Sequence, residues 1–174
     1  GRIQAVEKIL CGKVTFVEPA AASREDILSV HTPDHVRAVE REGVYDIAAL
    51  AAGGAIKAAQ IGLTEPCFAL IRPPGHHASS GCAWGFCYFN NMSIALEKLK
   101  REGQIRKAFI LDFDLHFGDG NVNILGGKDY VTILNPTGSN RNDYLKQVQN
   151  GLAETDADMI AVSAGFDHHE DDWG

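Results

Sequence analysis

The sequence predicts an α/β fold built on a parallel sheet. Short apolar runs of strand length recur at residues 67–71, 108–111, 130–134 and 159–163. Segments with helical periodicity and helix-start chemistry separate them, and such alternation marks a parallel sheet with helical crossovers. Ionisable residues also crowd just after the runs, where ligands gather in open α/β sheets.

Taken in order, residues 2–10 place Ile3, Val6, Ile9 and Leu10 at helical spacing. Ser23 precedes Arg24-Glu25-Asp26, with Asp26 three positions on, much like a capping box. Thr32-Pro33-Asp34 opens a further helix by cap-then-proline, running to around Glu42. Residues 46–61 are Ala-rich, and Gly53-Gly54 in their middle would weaken a helix unless another backbone packs closely there. The run Cys67-Phe68-Ala69-Leu70-Ile71 reads as a strand, with Cys67 a small core residue. A Pro/Gly-rich loop over 72–85 follows, then a helix over 91–101. The strand 108–111 is apolar throughout and preceded by Arg106-Lys107, as a buried parallel strand would be. A strand over 130–134, a helix over 141–154 and a strand over 159–163 complete the pattern.

At 174 residues the chain fits one domain. Its 45% apolar content can fill a core. With 16 basic and 23 acidic residues it carries a formal charge of −7, which disfavours nucleic-acid backbones and suits cationic substrates. The four cysteines form no Cys-x-x-Cys pair, so neither a zinc knuckle nor a redox dithiol is suggested. No apolar segment approaches membrane-spanning length and the first residues are not a signal peptide. A reduced, cytoplasmic setting is the expectation. The sequence leaves the oligomeric state open.

The chemistry concentrates in three loops that follow strands. In Asp112-Phe113-Asp114-Leu115-His116-Phe117-Gly118-Asp119, the alternation of Asp112, Asp114 and His116 points them to one face of an extended chain. Crowded ionisable groups need a cation or partners, and zinc held by His and Asp ligands meets that need; a solvated acidic loop is the plainer alternative. Arg72-Pro73-Pro74-Gly75-His76-His77-Ala78 is a stiff loop with adjacent imidazoles. Each needs a partner to fix its tautomer, and Asp112 and Asp119 are the natural candidates. Alone, a His-His pair is more often a surface or internally satisfied pair. Ser163-Ala164-Gly165-Phe166-Asp167 offers a third oxygen ligand, while His168-His169 and the acids after them read as solvated surface. Together these loops resemble the equipment of metal-assisted hydrolysis.

The motifs 72–78, Gly85-Phe86-Cys87-Tyr88-Phe89-Asn90-Asn91, Leu111 to Gly120 and 163–167 occur in an order that resembles the zinc-dependent histone deacetylase family. That family includes prokaryotic deacetylase-like, acetoin-utilisation and acetylpolyamine amidohydrolase members. Weaker matches are Val30-His31-Thr32-Pro33-Asp34-His35-Val36 and Gly43-Val44-Tyr45-Asp46 through Gly53-Gly54. The resemblance implies a three-layer arginase/deacetylase-like fold with helices on both sheet faces. It implies a single domain over 1–174, incomplete at both ends. It implies zinc ligands Asp114, His116 and Asp167, with a structural potassium site near Asp112, Asp114 and His116. His76 with Asp112, and His77 with Asp119, become the catalytic pairs, His77 being first choice for general acid. Gly85 and Phe86 would line the substrate channel. The implied reaction is removal of acetyl or acyl groups from lysine or polyamine-type amines by metal-activated water.

Three features depart from the family. Its C-terminal tyrosine on a Gly-rich loop has no counterpart before Gly174, a second channel aromatic is not evident around 134–138, and the acidic rim residue before Gly43 is absent. An arginase-like binuclear manganese hydrolase is an alternative reading, but it needs Asp-x-His-x-Asp and a later Asp-x-Asp. Here Asp114-x-His116-x-x-Asp119 and a lone Asp167 before His168-His169 argue against it. A non-catalytic zinc-binding fragment is a further alternative.

Overall fold

The computed structural model describes residues 2–138 and 140–172; Gly1, Ser139, Trp173 and Gly174 of the expected 1–174 domain lie outside the described residues. Strand β1 (Ala108–Asp112) is the middle of a three-stranded parallel sheet, with β2 (Val131–Leu134) on one side and β3 (Met159–Ser163) on the other. Every residue of β1 is buried. Burying Phe109, Ile110 and Leu111 contributes about 1.5–3 kcal/mol each, enough to anchor the register Phe109↔Thr132 and Phe109↔Ile160. Asp112 pairs with Ser163. The loops leaving β1 and β3 therefore start at one level.

Helices cover both faces. On one side α5 (Asn91–Arg101) and α6 (Asp119–Leu125) send Leu96, Leu99 and Leu125 into a cluster with Ala108, Ile110 and Met159. On the other, α7 (Arg141–Glu154) comes close enough that a Cβ on Gly151 would lie 2.8 Å from Leu134 and 3.0 Å from Phe109. A second core behind α5 joins Ile94 and Phe89 to α2 (Arg24–Leu28), α3 (Pro33–Arg41) and α4 (Tyr45–Gly62). The short α1 (Arg2–Leu10) precedes them.

Local chemistry explains the helix starts. The Ser23 hydroxyl accepts from the Asp26 N–H and donates to its carboxylate, and Thr32 accepts from the His35 N–H ahead of Pro33. Gly53 is where α4 meets other backbone: a Cβ there would lie 1.9 Å from the Ala20 carbonyl oxygen. No helix among the described residues is long and apolar enough to cross a membrane.

Two expectations are corrected. Residues 67–71 form no strand, and Cys67 is exposed with Phe68 63% exposed. A short apolar run does not supply a pairing edge; Ile71 packs instead against α4, 2.6 Å from where a Gly54 Cβ would stand. Conversely, α6 lacks a sequence signal. Its N-cap, Gly118, makes no side-chain cap bond, and tertiary contact holds the helix. Leu125 is fully buried, and Gly120 abuts the carbonyls of His76 and Ala78.

Candidate metal centre and its histidine–aspartate pairs

The turn after β1 carries Asp114 and His116, and the turn after β3 carries Asp167. One potential ligand atom from each lies within 4.8 Å of the others. His116 Nδ1 is 2.9 Å from Asp167 Oδ2 and 3.2 Å from Asp114 Oδ1. Backbone donors hold both carboxylates: the Leu115 N–H to Asp167 and the His116 N–H to Asp114. Gly165 makes room for this convergence, since a Cβ there would sit 2.1 Å from Asp114 Oδ2. Two carboxylates and an imidazole converging on one point are a donor set that fits zinc.

The loop over 72–85 brings the two imidazoles alongside. His76 Nδ1 is 3.2 Å from Asp112 Oδ2, and its Nε2 is 3.8 Å from Asp114 Oδ1. His77 Nδ1 donates to Asp119 Oδ1 at 2.6 Å. The two rings lie 3.9 Å apart, and His77 is 6.0 Å from the His116 ring. Burial opposes protonation of His76, but the bond and charge of Asp112, with Asp114 and Asp119, outweigh it and raise its pKa. Burial lowers the pKa of His77, helped by neighbouring His76 and opposed by Asp119. Burial also works to raise the pKa of Asp119, but hydrogen bonds from Trp84 and His77 leave it lowered. Asp167 is lowered in the same way, burial being outweighed chiefly by the Leu115 N–H. Cys87, whose thiol burial pushes up to about 11, is an inert neighbour.

Gly85 and Phe86 both have left-handed backbone, at φ 60 and 63. Gly85 has no room for a side chain, since its Cβ would fall 2.6 Å from His77 Cδ2. Phe86 is 88% exposed beside it, and a left-handed Phe costs of order 1 kcal/mol. His168 makes an edge contact with Tyr144, and His169 is exposed and accepts from the Asp171 N–H.

Two residues of the site escaped sequence reasoning. Fully buried Asn121 donates to Asp112 Oδ2 at 3.0 Å and to Ser163 Oγ at 3.3 Å. Trp84 donates to Asp119 Oδ2 at 2.9 Å. Neither residue type signals such a role, and Trp84 is 35 positions from its partner in sequence.

Residues 39–136 match the histone deacetylase domain, more than half of the chain. The chain belongs to the histone deacetylase family. Relatives in that family include a probable deacetylase of Archaeoglobus fulgidus, 45% identical over 140 residues, a match covering 70% of this chain and 39% of the relative. A probable deacetylase of Methanothermobacter thermautotrophicus is 40% identical over 126 residues, covering 63% and 38%. A histone deacetylase-like amidohydrolase of Pseudomonas aeruginosa is 33% identical over 129 residues, covering 63% and 34%. This histone deacetylase family chain thus spans about two fifths of the length of the first two relatives. The crystal structure of the HDA15 HD domain superposes with a TM-score of 0.86 at 25% identity, covering 98% of this chain and 66% of the other. The three-layer deacetylase-like fold is common to both.

Proposed function

We propose that this chain carries the metal site and proton-handling pairs of a zinc-dependent amide hydrolase that removes acetyl or acyl groups from lysine or polyamine-type amines. The carrying observation is the convergence of Asp114, His116 and Asp167 beside two histidines, each backed by its own aspartate. Zinc held by those three residues would supply a Lewis acid for the acyl carbonyl and lower the pKa of water.

The chain's own residues then divide the proton work. With its Nδ1 proton committed to Asp119, His77 presents Nε2, which would first take up a proton released by the attacking water and then donate it to the departing amine nitrogen. His76, with Nδ1 toward Asp112 and Nε2 toward Asp114, is placed to hold positive charge or take a proton from the attacking water. The exposed ring of Phe86, next in the chain to Gly85, which abuts His77, offers an apolar wall for the alkyl stem of the acylated amine. The overall change is addition of water across the amide bond, giving a carboxylate and a protonated amine. Asp119 bears on the binuclear alternative: its two oxygens are engaged by His77 and Trp84 rather than joining the triad.

The test is a panel of acyl-lysine peptides and acetylated polyamines given to the natural protein, with and without a hydroxamate inhibitor. Hydroxamate-sensitive amide cleavage that falls at least about a hundredfold in His77→Ala supports the reading. Unchanged turnover in that variant, or no cleavage of any acyl amine, overturns it.

A further inference from the structure

His77 is held on several sides by groups of different kinds. Its Nδ1 is bonded to Asp119 Oδ1 at 2.6 Å, and the His76 ring lies 3.9 Å away. Gly85 leaves no space beside Cδ2. A further contact is Trp84, whose ring stacks on the imidazole with centroids 3.7 Å apart and planes 28° apart. The same side chain donates its indole N–H to the other oxygen of Asp119, Oδ2, at 2.9 Å. One residue therefore touches both members of the pair.

Neither the proton work proposed above nor substrate binding requires a tryptophan at this position. A carboxylate held by a single hydrogen bond can swing about its Cβ–Cγ bond, and an imidazole can turn over so that carbon replaces Nδ1. A second donor on Oδ2 blocks the first motion. A stacked ring blocks the second, because an imidazole turning edge-on needs more than the stacking distance. Trp84 is half exposed, so its burial alone does not account for this arrangement.

We propose that Trp84 is a positioning residue for the His77–Asp119 pair: its N–H fixes the Asp119 carboxylate while its ring face fixes the plane of His77, which keeps Nε2 aimed at the reacting centre. The inference rests on the amide-hydrolase reading for its kinetic consequence but not for its geometry. Asn121 offers a parallel on the other pair, giving Asp112 a neutral N–H donor besides His76. Outer donors of this kind hold a histidine's partner in place, and their loss is felt in rate more than in substrate affinity.

Trp84→Phe keeps a stacking face and removes the donor; Trp84→Leu removes both. In the natural protein, kcat should fall about tenfold in Trp84→Phe and further in Trp84→Leu, with KM changing less than about twofold. Because the donor acts through Asp119, Trp84→Phe should have no further effect on kcat once Asp119→Asn is present. An independent readout is the His77 Nδ1 proton in the NMR spectrum of the zinc-free protein, whose exchange with water should quicken at least about tenfold in Trp84→Phe. Nδ1 exchange within twofold of wild type in Trp84→Phe, a change confined to KM, or multiplicative effects of the Trp84 and Asp119 substitutions would each overturn the proposal. If wild type cleaves no acyl amine, the functional reading fails, and the proton exchange still decides the role of Trp84.

Discussion

Gly165, after β3, lies against Asp114, after β1, so closely that a single added methyl would fall 2.1 Å from the carboxylate oxygen and 2.6 Å from the Asp114 Cα. The two turns that build the metal triad are therefore in backbone-to-side-chain contact. Gly165→Ala must push Asp114 aside. The expected outcome is a loss of zinc affinity of about 10–100-fold, the range seen when support around a ligand is disturbed. Competition against a chromophoric chelator measures it, and unaltered affinity would contradict the account.

The seat of α4 gives a second prediction. Gly53→Ala would drive a Cβ to 1.9 Å from the Ala20 carbonyl oxygen, whereas Gly62→Ala on the same helix meets only Met159 Cε at an ordinary 3.7 Å. Overpacking against backbone should cost roughly 3 kcal/mol at Gly53. Better helix propensity should leave Gly62→Ala neutral or up to about 1 kcal/mol more stable. Urea unfolding of the two variants tests the contrast.

His31 sets a pH dependence of stability. Its Nδ1 lies 3.0 Å from the Ser79 carbonyl and its Nε2 accepts from the Asn90 N–H at 2.9 Å, so the buried ring ties the loop that carries His76 and His77 to the start of α5. Protonation would destroy the acceptor for Asn90. Burial, then the neighbouring His35, push its pKa from 6.5 down to about 4. Unfolded chains thus take up a proton below pH 6.5 that the folded chain refuses until pH 4. The contribution of neutral His31 is complete above pH 6.5 and drains away as pH falls to 4, by roughly 3 kcal/mol. Unfolding free energies measured across that window should slope downward toward acid, and less steeply in His31→Gln. Equal slopes in the two proteins would contradict the assignment.

Much of the fold was legible because its signals are local. The apolar runs that became β1 and β3, the helix chemistry of α5 and α7, and the caps at Ser23 and Thr32 need only neighbouring residues to be read. The failures share a cause in tertiary contact. Residues 67–71 have strand-like composition but spend Ile71 on α4, and α6 owes its existence to Gly120 and Leu125 meeting distant partners. The same division holds in the site. Asp114, His116 and Asp167 stand out as ionisable residues after strands, whereas Trp84 and Asn121 reach Asp119 and Asp112 only once the chain has folded.

The proposed site for a single zinc ion is formed by Asp114, His116 and Asp167. Its most direct test is anomalous scattering at the zinc edge from crystals of the natural protein, paired with metal analysis of Asp114→Ala. One zinc per chain is expected among those three side chains, lost in the variant. Zinc absent, zinc bound elsewhere, or two metal ions sharing the site would contradict it.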